Sequence, residues 1–133
     1  MKINSGMFPR SICNISALEF IFLTVNRFSG SLPFDILVNL PNLKKLCIAE
    51  NNFVGSIPDS LSNASNLELL ELAGNQFEGK VSIDFSSLKN LAVLNLERNN
   101  LGIGTANDLG FVTFLTNCSS LKVLSLCHNQ FGG

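Results

Sequence analysis

The run Leu43-Lys44-Lys45-Leu46-Cys47-Ile48-Ala49-Glu50-Asn51-Asn52-Phe53-Val54-Gly55-Ser56-Ile57-Pro58 decides how the rest of the chain is read. Apolar residues hold its first, fourth and sixth positions. Asn51 follows three residues after the last of these, and Phe53 two residues after that. The same order recurs at Leu18/Ile21/Leu23, Leu67/Leu70/Leu72, Leu91/Leu94/Leu96 and Leu121/Leu124/Leu126. Each is followed by its asparagine (Asn26, Asn75, Asn99, Asn129), then by Phe28, Phe77, Leu101 or Phe131. The five blocks start 25, 24, 24 and 30 residues apart.

In each block the fourth and sixth positions alternate with polar or variable ones, the period-2 signature of a half-buried strand. One short strand cannot bury its apolar face alone, but stacked turns build a parallel sheet over a continuous core. The recurrent asparagine ends each strand, where its amide is placed to bond the backbone of its own turn and of the adjacent coil in a ladder. The phenylalanine column is expected to form a second spine behind the sheet.

The second half of each block repeats as well. Gly30-Ser31-Leu32-Pro33 and Gly55-Ser56-Ile57-Pro58 match fully, and Gly79-Lys80-Val81-Ser82 more weakly. Glycine permits the tight bend, and proline holds an extended backbone without a donor. Ile36, Leu61 and Phe85 then return the chain to the core. The stretch from Gly6-Met7-Phe8-Pro9 to Ile15 matches this second half alone. The expected fold is therefore an α/β-type solenoid of about five repeats, with parallel strands on a concave face and an irregular or 3-10 convex side. Its units are residues 1–17 (half repeat), 18–42, 43–66, 67–90, 91–120 (long) and 121–133 (half repeat).

Composition agrees with a repeat array. The 133 residues include 22 Leu and 17 Asn, no Trp or Tyr, and only 14% charged residues. A formal net charge of −1 gives no electrostatic reason to expect nucleic acid or an acidic membrane surface as partner. No apolar run approaches the roughly 18 residues of a membrane helix. Met1 to Gly6 carries one basic residue without an apolar core behind it, unlike a signal peptide.

The blocks resemble the plant-specific leucine-rich repeat, LxxLxLxxNxFxGxIPxxLxNLxN, most fully from Leu43 to Asn66. The stretch through Asn99-Asn100-Leu101-Gly102, Asn107-Asp108-Leu109-Gly110-Phe111 and Leu115-Thr116-Asn117-Cys118-Ser119-Ser120-Leu121 resembles the long repeat of plant immune receptor kinases that sense bacterial peptides. That resemblance implies an extracellular ligand-sensing segment, with a peptide or protein ligand and a co-receptor ectodomain as partners. Cysteine-paired caps, a membrane span and a kinase region are absent from the sequence, so an interior slice or a truncated gene product is expected, with core-type residues exposed at both ends.

Three sequons, Asn14-Ile15-Ser16, Asn63-Ala64-Ser65 and Asn117-Cys118-Ser119, each lie four residues before the next block and mark candidate glycosylation turns. A glycosylated parent needs a signal peptide, which truncation of this sequence reconciles with its start. Four cysteines (Cys13, Cys47, Cys118, Cys127) share no phase in adjacent repeats and read as free thiols. No CxxC or HxxxH spacing suggests a metal, and no cofactor is implied.

Catalysis is a weak reading. Cys127 and His128 are consecutive and point to opposite faces of an extended backbone, which does not suit a nucleophile–base pair. Glu71 and Glu97 on neighbouring strands lack the cleft and the protonated carboxyl of a glycosidase pair. The long repeat places six extra residues between Leu101 and Phe111, with Val112 where Pro58 stands. Asn107 or Asp108 is expected to cap a short helix running to about Thr116. This insert reads as a structural variant on the side or convex surface, with a ligand-contacting excursion as the alternative.

Recognition is expected on the concave face. Alternation from the buried leucines places Phe22, Cys47, Glu71, Asn95 and Ser125 at the middle strand position. Thr24, Glu97 and Lys45 join them from flanking positions, and Glu50, Arg98 and His128 from the position before each asparagine. Arg98 would hold a ligand carboxylate, and Glu50, Glu71 and Glu97 would meet basic residues. The reading is a peptide-recognition segment of a plant receptor kinase ectodomain. The alternatives are a secreted inhibitor of microbial cell-wall-degrading enzymes, which shares a similar repeat, and a truncated product without independent function.

Overall fold

The computed structural model describes residues 5–36 and 38–132. The leader reading of Met1–Gly6 rests largely on residues outside these. Among the described residues, ten short strands form two parallel sheets. The first sheet contains β2 (Phe20–Phe22), β4 (Lys45–Cys47), β6 (Leu69–Glu71), β8 (Val93–Asn95) and β10 (Val123–Ser125) in consecutive order. Its register aligns the repeats residue for residue: Ile21, Leu46, Leu70, Leu94 and Leu124 are successive Cα partners. One strand from each repeat thus forms a lane of a single sheet, as the period-2 pattern requires.

The second sheet is an addition that the sequence pattern did not anticipate. β1 (Ser5–Met7), β3 (Arg27–Ser31), β5 (Asn52–Gly55), β7 (Gln76–Gly79) and β9 (Asn100–Leu101) pair in parallel behind the asparagines. From β3 to β9 its strands carry only one buried residue per repeat, Phe or Leu, among polar residues, glycines and the exposed Val54. Without alternation across several residues it leaves no strand signal in the sequence. The 3-10 turns do occur, at Arg10–Asn14, Asp59–Asn63 and Phe85–Ser87. They begin at Pro9, Pro58 and Asp84; Asp84 Oδ1 accepts from the Ser86 N–H at 2.9 Å.

Between the layers lies one core. Leu43, Leu46, Ile48, Leu67, Leu70, Leu72, Leu91, Leu94 and Leu96 are almost wholly buried from the first sheet, and Ile36, Leu61 and Phe85 from the opposite side. Burying each such side chain stabilises the fold by about 1.5–3 kcal/mol relative to leaving it exposed. Phe28, Phe53 and Phe77 stack with centroids 6.3 and 6.2 Å apart, forming the expected spine. Phe8 extends it at 6.5 Å from Phe53. Phe131 leaves the stack and packs instead on Phe111 at 5.8 Å.

The asparagine ladder joins the turns. Asn75 Nδ2 donates to the carbonyls of Ile48, Leu72 and Ala73, while its Oδ1 accepts from the Phe53 N–H of the preceding turn. Asn51, Asn99 and Asn129 repeat this arrangement. One side chain therefore joins backbone groups of two repeats and supplies the partner of the buried Phe53 N–H.

Core-type residues are exposed at both ends, as expected, and the ends differ in degree: Ile15, in the position where Ala64 is buried, is 52% exposed. Ile21 is buried alongside Phe8 and Cys13, whereas Leu124 in the same column is 41% exposed.

The long repeat also departs from expectation. α1 is a single turn, Val112–Leu115, and Phe111 at its start makes no side-chain cap. Asp108, itself buried, caps the inserted loop instead. Its Oδ2 accepts from the backbone N–H groups of Ile103, Gly104, Thr105 and Gly132 at 2.8–3.2 Å, and Oδ1 accepts from the Thr105 hydroxyl at 3.0 Å. These bonds, led by that from Gly132, pull the Asp108 carboxyl down to about 2.

Candidate functional site

The face of the first sheet opposite the core divides into two parts. At β2, Phe20 and Phe22 stack at 6.2 Å with an interplanar angle of 16°, and both are substantially exposed (46% and 63%). Lys45 Nζ lies 5.4 Å from the Phe20 ring centre, a cation–π geometry. Exposed Thr24 donates its hydroxyl to the Cys47 carbonyl at 3.4 Å.

From β6 to β10 a polar, internally bonded network runs beside the apolar column of Leu69, Val93 and Val123. Glu71 accepts from the Ala73 N–H at 3.2 Å and from Asn95 Nδ2 at 3.1 Å. Asn95 Oδ1 accepts from the Glu97 N–H at 3.1 Å. Glu97 Oε2 accepts from the Ser125 hydroxyl at 2.6 Å and from the Cys127 thiol at 3.4 Å. Those two donors hold the Glu97 carboxyl below the usual carboxylate range. Arg98 Nη2 pairs with Glu50 Oε1, and its Nε stands 3.8 Å from Glu97 Oε1. The Glu50 bond raises the Arg98 guanidinium above its ordinary value.

The structure thus brings Glu50, Glu71, Asn95, Glu97, Arg98 and Ser125 into linked contacts, and groups Phe22, Thr24 and Lys45 at the other end. Two expectations need correcting. Cys47 is 7% exposed, because it is a small side chain in register between Phe22 and Glu71, so it is no contact residue. Its thiol is pushed up by burial and then by Glu71. Arg98 and Glu50, assigned to ligand charges, are partners of each other.

A feature that alternation missed lies one residue before each asparagine. Val25, Glu50, Gly74, Arg98 and His128 all have positive φ, between 54° and 68°. Non-glycine residues seldom adopt this conformation. Gly74 is the only signal in the sequence that this column is left-handed. The turn there re-aims Glu50 and Arg98 toward each other and carries His128 out to solvent.

The charge arrangement does not suit general acid catalysis. Ser125 and Cys127 favour the ionised Glu97, opposite to what a general acid needs. The Cys127 thiol is engaged by Glu97 and lies 3.6 Å from the Ser125 hydroxyl. The four cysteines are free, and burial raises Cys13 and Cys118, the latter also donating to the Phe85 carbonyl at 3.2 Å. The sequon asparagines Asn14, Asn63 and Asn117 are all exposed, at the ends of two 3-10 turns and just beyond α1. Among the described residues, no helix is long and apolar enough to cross a membrane.

Two stacked parallel sheets, a leucine core and an asparagine ladder define the class as a leucine-rich-repeat solenoid. Comparison with known proteins narrows the likeness: the leucine rich repeat family model matches residues 41–101. Receptor-like protein 31 of Arabidopsis thaliana is 34% identical over 58 residues, which is 44% of this chain and 7% of that protein. The chain spans only 7–8% of the length of the curated relatives it matches. Among solved structures, PEPR1–AtPEP1 superposes over 96% of this chain and 17% of that one, with a TM-score of 0.84 and 33% identity. The Arabidopsis receptor kinase HAESA, in complex with the peptide hormone IDA and the co-receptor SERK1, matches over 96% of this chain and 20% of its own. Its TM-score is 0.83 and its identity 30%.

Proposed function

We propose that residues 1–133 form a single array segment of a plant cell-surface receptor ectodomain, extracellular in its parent, of the innate-immunity or signalling type. It binds an extended peptide or protein ligand along the concave first sheet, with a co-receptor ectodomain as second partner. The observation that carries this reading is the continuous face from the exposed Phe20–Phe22 pair to the Glu71–Asn95–Glu97–Ser125 network. Aromatic anchors beside oriented carboxylates suit a ligand with an apolar residue at one end and a basic residue toward the other. The five strands span about 19 Å at about 4.8 Å per strand. An extended peptide of about six residues covers that distance. The similar structures of PEPR1–AtPEP1 and of HAESA with IDA and SERK1 support the same class of ligand and partner.

The test is affinity capture of apoplastic peptides on the immobilised ectodomain that contains this segment. The wild type is compared with the combined Phe20→Ala, Phe22→Ala, Glu71→Ala and Glu97→Ala variant. A peptide retained by the wild type should bind the variant at least about tenfold more weakly, a loss of about 1.4 kcal/mol or more. Equal retention by both proteins would refute the assignment.

A further inference from the structure

The outer face of the first sheet carries a rail that is apolar at all turns but one. The first residue of each strand points away from the core, which sets Phe20, Lys45, Leu69, Val93 and Val123 in one column. All five are successive Cα partners in the sheet register. Phe20 and Val123 are exposed, and Leu69 and Val93 are half-buried. Only the second turn breaks the rail, and there the Lys45 ammonium lies 5.4 Å from the Phe20 ring centre.

Pitch decides which peptide can follow this rail. Neighbouring strands of a sheet are about 4.8 Å apart, so alternate turns are about 9.6 Å apart. A β-extended ligand repeats its side-chain direction every two residues, about 6.7 Å, so its second contact falls between turns. A polyproline II helix repeats every three residues, about 9.3 Å. Its first, fourth and seventh side chains come to rest over alternate turns, within about 0.6 Å over the whole run. On the first, third and fifth turns the rail residues are Phe20, Leu69 and Val123, all apolar. The polyproline II backbone has no internal hydrogen bonds and stays solvated, which fits an open sheet face whose own backbone groups are already paired.

Charge adds a second match. Glu71 and Glu97 flank the rail beside Leu69 and Val93, one residue and three residues further along their own repeats than the strand centres Leu70 and Leu94. Arg98 stands 3.8 Å from Glu97 but is bonded to Glu50. Bonds from Ser125 and Cys127 favour the ionised Glu97. This flank therefore favours a cation from the ligand.

We propose that the ligand of this face is a proline-rich peptide held as a polyproline II helix across the strands, an inference that rests on the peptide-binding reading above. Apolar residues three apart sit over Phe20, Leu69 and Val123, and a basic residue between the last two reaches Glu71 and Glu97. Prolines at the intervening positions set the helix before binding, so little backbone entropy is lost on docking. About seven residues span the five turns.

The test is calorimetric titration of the ectodomain that contains this segment with three capped heptapeptides. The first is Leu-Pro-Pro-Leu-Pro-Arg-Leu. The second has the same composition with its leucines at alternate positions, and the third replaces the prolines of the first by glycine. The first should bind at least about tenfold more tightly than either of the others. Val123→Ser should weaken it by about fivefold, while Val54→Ser, on the exposed side of the second sheet, should leave it unchanged. Binding by the alternating or the glycine peptide as tight as by the first overturns the inference and leaves the peptide-binding reading standing. So does failure of all three where the wild-type ectodomain captures an apoplastic peptide that the combined variant above does not. Failure of that capture as well sinks both.

Discussion

Glu50 and Arg98 lie two turns apart in the array, yet their side chains meet in an ion pair above Gly74. The intervening turn permits this only because it has no side chain. A Cβ at Gly74 would stand 2.5–2.6 Å from the Glu50 carboxylate, and the φ of +68° there disfavours any other residue. Both charged partners are about half exposed, so the pair is screened by salt and orients the face more than it stabilises the fold.

Gly74→Ala is therefore expected to displace Glu50 and to add left-handed backbone strain of about 1–2 kcal/mol. Thermal unfolding should register this as a Tm lower by roughly 2–8 °C. Introducing the same substitution into a Glu50→Ala background should cost less, since the collision is gone. An unchanged Tm for the single variant would show that the two side chains do not meet over this residue.

Val25 occupies the equivalent left-handed position with φ 58° and is 70% exposed. A β-branched residue is strained there and contributes little packing. Val25→Gly should raise stability by about 0.5–1 kcal/mol, the left-handed strain relieved less the added freedom of the unfolded chain. Chemical denaturation with an unchanged m-value checks it, and a lower midpoint would contradict the strain argument.

Removing a rung of the ladder should do far more. Asn75→Ala leaves the buried Phe53 N–H without its partner and takes one of two donors from each of the Ile48, Leu72 and Ala73 carbonyls, at a cost of about 1–3 kcal/mol. Asn63→Ala, on the exposed turn, should stay within about 0.5 kcal/mol of wild type. Urea titration of the two variants side by side measures the contrast, and equal effects would show that the ladder is ornamental.

Asp108 sets an acid limit. Its carboxyl titrates at about 2 in the fold, against about 3.9 in an unfolded chain. A depressed folded value means that the stabilisation is fully present above the unfolded value and is lost as pH falls from about 4 to about 2. Asp108→Asn should flatten this part of the stability–pH curve and loosen residues 102–108 from Gly132. Hydrogen exchange at Ile103, Gly104 and Gly132 should accelerate accordingly. An acid limb as steep as that of the wild type would place the titration elsewhere.

The sequence by itself determined the solenoid, the lanes of the first sheet, the asparagine ladder and the Phe28–Phe53–Phe77 spine. Each is a short local pattern repeated in register, so one turn predicts the next. It also separated the sequon asparagines from those of the ladder. The tertiary structure alone decided the burial of Cys47 between Phe22 and Glu71, the bond from Asp108 to Gly132, the second sheet and the pairing of Glu50 with Arg98. These depend on distances between turns and on the sign of φ before each asparagine. Period-2 alternation carries neither quantity, and a left-handed residue re-aims a side chain that the pattern would otherwise place.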